Sequence, residues 1–228
     1  MKYDTILFDA DDTLLDFKRA EHDALKMTLI GFSLPTEREI TDTYSRINDS
    51  YWKALERGEV TKDQLKVRRF GDLCSHFGFD RDPVSMARAY ESNLATMTYL
   101  LDGAEELCRD LSEKYRIYIV TNGIKSVQEG RLGGAAIKKY FIEAFVSEEM
   151  GCEKPRREYF EAVACRIPDF DKARTVIIGD SLSSDIKGGI NFGIDTCWFN
   201  PSGKNAPDGM NITYTASSFD EIREIFLG

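Results

Sequence analysis

Histidine and tryptophan are scarce in this chain, two of each among 228 residues, and its five cysteines form no pattern. Cys74, Cys108, Cys152, Cys165 and Cys197 are odd in number and never spaced C-x-x-C. That points to reduced thiols and away from a disulfide framework or a zinc cluster. His22 and His76 fall in helix-patterned stretches away from every motif described below, so helix packing or surface roles are expected of them. Basic charge is also short: 30 Lys and Arg stand against 39 Asp and Glu, a net charge of −9. A nucleic-acid polymer is thereby excluded as partner, because binding one takes a basic face. A small anion is not excluded, since one bound cation inverts the local field. No run of 18 apolar residues occurs, and the opening MKYDTILFDADD lacks a signal-peptide core. The expectation is a cytoplasmic protein with no membrane partner.

What is present is a set of short apolar runs. DTILF (4–8), RIYIVT (116–121), AFVS (144–147), TVIIG (175–179) and DTCWFN (195–200) read as strands hydrophobic on both faces. Most are separated by helix-patterned segments, which predicts a parallel sheet covered by helices on both sides. NPSGKNAPDGMN (200–211) reads as a turn-rich loop, followed by a short last strand and the helix SFDEIREIFL. About 100 residues separate the first strand from the second, far too many for one crossover. Four amphipathic patterns fill that gap, punctuated by Gly31, Pro35, Gly58, Gly78 and Pro83. They predict an inserted all-helical domain over 17–100, with the α/β core formed by 1–16 and 101–228.

Ligands of open α/β sheets bind outside the carboxyl ends of the strands. Those ends carry Asp9-Ala10-Asp11-Asp12-Thr13, then Thr121-Asn122-Gly123, then Lys154-Pro155, then Gly179-Asp180-Ser181 with Asp185 beyond. Carboxylates, a hydroxyl, a lysine and backbone amides on one rim suit phosphoryl chemistry with a divalent metal. A calcium loop starting at Asp9 is excluded, because its glycine position falls on Leu14 and its closing glutamate position on Ala20.

D-x-D-x-T, T-N-G, K-P and G-D-S-x-x-x-D, in this order and with a long helical insertion after the first, resemble the haloacid dehalogenase (HAD) superfamily. The resemblance spans essentially the whole chain. It implies a HAD-like Rossmannoid core with a type-one helical cap. By position, Asp9 resembles the nucleophile that becomes aspartyl-phosphate, and Asp11 the acid and base that serves the leaving group and then water. Mg²⁺ would take Asp9, the Asp11 carbonyl and Asp180. Thr121, Asn122 and Gly123 would hold the phosphoryl oxygens, and Lys154 would neutralise charge there. Thr13, Ser181 and Asp185 would support these groups from behind.

An acid at Asp11 favours phosphate hydrolysis over dehalogenation within that superfamily. Further residues resemble the YjjG-type pyrimidine 5′-nucleotidases: Glu21, Asn48, Trp52, Glu56, Gly58, Arg69 and Phe70 in the cap, and Gln128 and Arg131 in the core. The implied substrate is a small phosphorylated metabolite, a nucleoside monophosphate. A sugar-phosphate or phosphoglycolate phosphatase and a β-phosphoglucomutase-like transferase keep both acids and stay open as alternatives. A phospho-acceptor module is disfavoured, since its acceptor aspartate would follow the third strand. Where family members continue K-P-D-P, this chain has Arg156 and Arg157, either a surface change or an anion contact. No feature of the sequence bears on oligomeric state.

Overall fold

Every apolar run noted above forms a strand in the computed structural model, which describes residues 2–228. In chain order the elements begin with β1 (Thr5–Phe8), then α1 (Phe17–Gly31), α2 (Arg38–Glu56), α3 (Lys62–Phe77) and α4 (Pro83–Leu94). There follow α5 (Ala104–Ser112), β2 (Arg116–Thr121), α6 (Lys125–Gly134), β3 (Glu143–Val146), α7 (Ser147–Met150) and α8 (Arg157–Arg166). The chain continues through β4 (Thr175–Gly179), α9 (Lys187–Phe192), β5 (Asp195–Phe199), β6 (Tyr214–Ala216) and α10 (Phe219–Leu227).

The six strands form one parallel sheet in the order β3-β2-β1-β4-β5-β6. Successive strands run outward from β1 in one direction and from β4 in the other. The strand order therefore reverses between β1 and β4, the place where sheets of this type leave a crevice. Strand residues alternate between two apolar layers. Ile6, Phe8, Ile117, Ile119, Val176 and Ile178 pack with Leu107, Leu111, Ile222 and Phe226 of α5 and α10. Leu7, Tyr118, Val120 and Ile177 pack with Tyr159, Phe160 and Val163 of α8 and Phe192 of α9.

The chain divides into two compact units. The α/β unit takes the residues up to Asp16, Tyr99–Lys125 and Leu132–Gly228. The helical unit takes Phe17–Thr98 and also Ser126–Arg131. This differs from the sequence-based division at 100 in two places. Tyr99 and Leu100 group with the sheet because Asp16 N–H donates to the Tyr99 carbonyl at 3.0 Å and Leu15 bridges Leu100. Ser126–Arg131 group with the helices because Arg131 Nε donates to the Met97 carbonyl at 3.1 Å, and bare Gly130 lies against Ala95.

Within the helical unit, Thr61 and Gln64 form a capping box at the start of α3, and Asp82 caps α4 ahead of Pro83. Tyr44, Phe70 and Tyr90 meet at ring distances of 5.1 to 5.5 Å and form its buried centre. Glu21 accepts hydrogen bonds from Ser45 and Asn48, and Asn48 accepts one from Arg69, so a polar chain links α1, α2 and α3. Among the residues that resembled the nucleotidases, Asn48, Arg69 and Phe70 of the cap pattern and Gln128 and Arg131 of the core pattern are buried, while Glu56 and Gly58 are exposed. Among the described residues, no helix is long and apolar enough to cross a membrane.

Candidate active site

Asp9 stands one residue beyond β1, and its N–H donates to the Ile178 carbonyl at 2.9 Å, extending the ladder with β4 by one step. That bond fixes the Asp9 side chain at the reversal of the strand order. Behind it the chain folds back on itself: Leu14 and Leu15 both donate to the Ala10 carbonyl, and Asp12 donates to Leu15. The turn places Asp12 at φ 56°, a left-handed conformation that aspartate tolerates better than most residues. Thr13 is thereby buried beneath Asp9. Its Oγ1 accepts from Asp180 N–H at 3.2 Å, and lies 3.1 Å from Asp9 Oδ2 and 3.4 Å from Asp180 Oδ1. A hydroxyl has one proton, so it serves one of these two carboxylates at a time.

Lys154 is 1% exposed, and its ammonium has three acceptors: Asp9 Oδ1 at 2.6 Å, Asp185 Oδ1 at 2.7 Å and the Val120 carbonyl at 2.8 Å. All three protons are used. Lys154 therefore acts here as the counter-charge of two carboxylates. Its main chain is held by Asn122, which donates to the Lys154 carbonyl and accepts from the Lys154 N–H. Thr121, at the end of β2, is buried and accepts from Gly123 N–H at 3.1 Å.

After β4 the chain enters a π-helical turn, Leu182–Ile186, in which Asp185 and Ile186 both donate to the Ser181 carbonyl. Such wide turns occur often at functional sites. Here the turn sends Asp185 inward, where Oδ2 accepts from Ser181 N–H at 3.0 Å and Oδ1 meets Lys154. Ser181 in turn caps the helix, its Oγ accepting from Ser184 N–H.

Asp9, Asp180 and Asp185 thus bring three carboxylate oxygens within 4.8 Å of one another. One ammonium does not balance them. Burial raises Asp9 well above the carboxylate range, the Asp185 charge adds to this, and Lys154 opposes it. Asp11 contributes to the same field. Asp180 is pushed up to about 7 by burial, then by Asp185 and Asp12. Burial alone would lower Lys154, but Asp185 and Asp9 outweigh it and hold the ammonium above the ordinary lysine range. An all-oxygen donor set with surplus negative charge fits a hard divalent cation. Asp185, expected only as a supporting residue, belongs to this carboxylate group by distance.

Trp198 carries no role in the sequence motifs, and Gly179 appears in them only as the residue before Asp180. Trp198 Nε1 donates to the Asp180 carbonyl at 2.9 Å. Gly179 leaves room for the Asp185 carboxylate, which lies closer to where a Cβ would stand than any real Cβ contact allows. Arg156 and Arg157 are exposed, and Arg157 pairs with Glu161 along α8 at 2.8 Å, a surface ion pair.

Residues 3–193 match the haloacid dehalogenase-like hydrolase family. The chain is 40% identical over 225 residues to the HAD-hydrolase YfnB of Bacillus subtilis, covering 98% of this chain and 95% of that one. A magnesium-bound crystal structure of YfnB, described as revealing interdomain movement, superposes with a TM-score of 0.94 over 99% of both chains at 38% identity. The pyrimidine 5′-nucleotidase PynA of Streptococcus pneumoniae is 38% identical over 97% of this chain and 94% of its own. The pyrimidine 5′-nucleotidase YjjG of Escherichia coli is 31% identical over 99% and 98%.

Proposed function

The chain belongs to the haloacid dehalogenase-like hydrolase family and is an enzyme, a phosphatase of that family; from this premise we propose that it is a Mg²⁺-dependent nucleoside 5′-monophosphatase preferring pyrimidines. The observation that carries the chemistry is the buried Asp9 carboxylate 2.6 Å from the Lys154 ammonium, at the reversal of the strand order. The preference for pyrimidine nucleotides is supported by near full-length similarity to two pyrimidine 5′-nucleotidases.

In this reading Asp9 attacks phosphorus, and the bond to the nucleoside oxygen breaks. Asp11 gives that oxygen a proton as it leaves. The resulting aspartyl-phosphate is then hydrolysed by water that Asp11, now a carboxylate, deprotonates. Lys154 fixes the orientation of Asp9, and its charge together with that of the bound cation would hold Asp9 ionised for the attack. The Thr121 hydroxyl and the Asn122 main-chain N–H would donate to the phosphoryl oxygens, with Gly123, whose N–H donates to Thr121 Oγ1, orienting that hydroxyl. Mg²⁺ would be held by Asp9, Asp180 and the Asp11 carbonyl with Asp185 beside them, and would supply positive charge against the phosphoryl oxygens.

Phosphate release is the test, measured over UMP, dUMP, dTMP, CMP, AMP, sugar phosphates and phosphoglycolate with Mg²⁺ or with EDTA. The expected outcome is strongest turnover of the pyrimidine nucleotides, abolished by EDTA and by Asp9→Asn. Turnover of sugar phosphates with nucleotides idle overturns the substrate. Activity that survives Asp9→Asn overturns the mechanism.

A further inference from the structure

Asp180 is gripped on both sides of its main chain. Its N–H donates to Thr13 Oγ1 at 3.2 Å, and its carbonyl accepts from the Trp198 indole at 2.9 Å. The two grips come from different parts of the α/β unit: Thr13 lies in the turn after β1, and Trp198 lies on β5. Parallel pairing sets Trp198 opposite Gly179, immediately before Asp180. Its strand neighbours Cys197 and Phe199 pack on the α5 and α10 side, so alternation puts the indole on the other face, at the carboxyl end.

An indole carries a single polar atom, and it is a donor. Trp198 is 3% exposed, and its donor is committed to the main chain of the residue that offers a carboxylate to the Asp9 and Asp185 group. Sheet packing alone would be satisfied by an aliphatic or phenyl ring here. The N–H does something packing does not. Asp9, Asp180 and Asp185 repel one another, and a loop free to yield would let Asp180 swing away from the other two. Bonds at the amide and the carbonyl oppose that swing while leaving the Asp180 carboxylate open on the metal side.

We propose that Trp198 is a positioning residue of the metal site, its indole N–H holding Asp180 in register with Asp9 and Asp185. The inference rests on the reading of Asp9 and Asp180 as Mg²⁺ ligands and is independent of which phosphate ester is hydrolysed. Outer partners that orient ligands change metal affinity by about 10–100-fold when removed. An indole bonded to a ligand's main chain also reports on that ligand, so Trp198 emission responds to the cation.

The chain has two tryptophans, so Trp52→Phe leaves Trp198 as the sole tryptophan, excited selectively at wavelengths that tyrosine does not absorb. Mg²⁺ alone, without substrate, is titrated into this protein and followed by emission and by calorimetry. In the same background, biosynthetic replacement of Trp198 by its benzothienyl isostere removes the N–H and keeps the ring's size. The expected result is a saturable emission change with Mg²⁺, and a Kd about 10-fold weaker in the isostere. The isostere's melting temperature in EDTA should stay within a few degrees of the parent. Equal Mg²⁺ affinity with and without the N–H overturns the proposal, as does Trp198 emission that saturating Mg²⁺ leaves unmoved. Failure of the nucleotide assay with these binding results intact would count against the proposed substrate alone.

Discussion

Asn122 and the main chain of Lys154 exchange two hydrogen bonds, Asn122 Nδ2 to the Lys154 carbonyl at 2.9 Å and Lys154 N–H to Asn122 Oδ1 at 2.8 Å. The pair joins the end of β2 to the segment after α7, across a separation of 32 residues. The Lys154 ammonium hangs from this anchored main chain and reaches Asp9 and Asp185. Asn122→Asp would set a carboxylate oxygen against the Lys154 carbonyl and lose one of the two bonds. It keeps the main-chain N–H of residue 122 and so leaves the expected phosphoryl contact in place. Turnover should fall by about 10–100-fold, since a displacement of about 1 Å at a reacting group costs about that much. KM should move by only a few-fold. Steady-state kinetics with the preferred nucleotide check this, and an unchanged kcat would refute it.

Lys154 neutralises two buried carboxylates at once, and neither has a second cation within ion-pair distance among the described residues. Lys154→Met therefore leaves Asp9 and Asp185 facing each other in the interior. Breaking a buried pair from one side costs about 3–5 kcal/mol. That loss should appear in urea unfolding carried out in EDTA. Adding Mg²⁺ should recover part of it, because a bound cation restores positive charge among the carboxylates. The measurement belongs at about pH 8, above the range in which Asp180 keeps its proton, and a variant as stable as the parent there would refute Lys154 as the counter-charge of these carboxylates.

Much of this site is legible in the sequence, and the reason is geometric. A parallel sheet carries its chemistry at the carboxyl ends of its strands, so TILF followed by Asp9 and TVIIG followed by Asp180 mark the rim before any contact is known. Thr121, the last residue of β2, follows the same logic, whereas Lys154 lies beyond α7 and is held at the rim through Asn122. Trp198 does not follow it, because its bond to Asp180 requires that β5 lie beside β4 with Gly179 opposite Trp198, a pairing set by tertiary packing. A lone tryptophan near the end of a strand was the available signal. Asp185 is similar: five residues beyond Asp180, it joins the carboxylate group only through the π-helical turn. The grouping of Ser126–Arg131 with the helices depends on Arg131 meeting Met97, 34 residues earlier, which local patterning does not encode.

The protonation of the carboxylate group gives a stability profile with a definite sign. Without metal, Asp180 is pushed up to about 7, first by burial and then by Asp185 and Asp12, and Asp9 is raised by burial and Asp185. The same side chains ionise near 4 in the unfolded chain. Between about 4 and about 7 the folded protein thus keeps a proton that the unfolded chain has lost. Stability must fall as pH rises through that window, and Asp9, raised well above the carboxylate range, adds to the fall in the same sense. Asp4, Asp110 and Asp195 are lowered by their partners and act in the opposite sense, but below that window. In EDTA the melting temperature should therefore drop between pH 5 and pH 8. Asp180→Asn should flatten the drop, and saturating Mg²⁺ should remove it by favouring the ionised group. A melting temperature that climbs across this range in EDTA would contradict the assignment.

Gly179 is fixed by space. It is absent from the glycines at positive φ, so backbone freedom is not what the position demands. A Cβ there would stand 2.7 Å from the Asp185 Cβ and nearer still to its carboxyl group, where real Cβ contacts do not occur. Gly179→Ala must push Asp185 outward, and that movement breaks its bonds to Lys154 at 2.7 Å and to Ser181 N–H at 3.0 Å. Overpacking of this kind costs about 1–3 kcal/mol. Gly133→Ala, on α6, is the matched control, because nothing lies within 4 Å of its Cβ position. Alanine is favoured over glycine in helices, and Gly133 stands in the last turn of α6, so the control should be neutral or slightly stabilising. Urea unfolding of both variants separates these effects, and kinetics should show at least about a 10-fold fall in kcat for Gly179→Ala alone. If the two variants behave alike, the close approach of Asp185 to the β4 terminus is not what holds Lys154 in place.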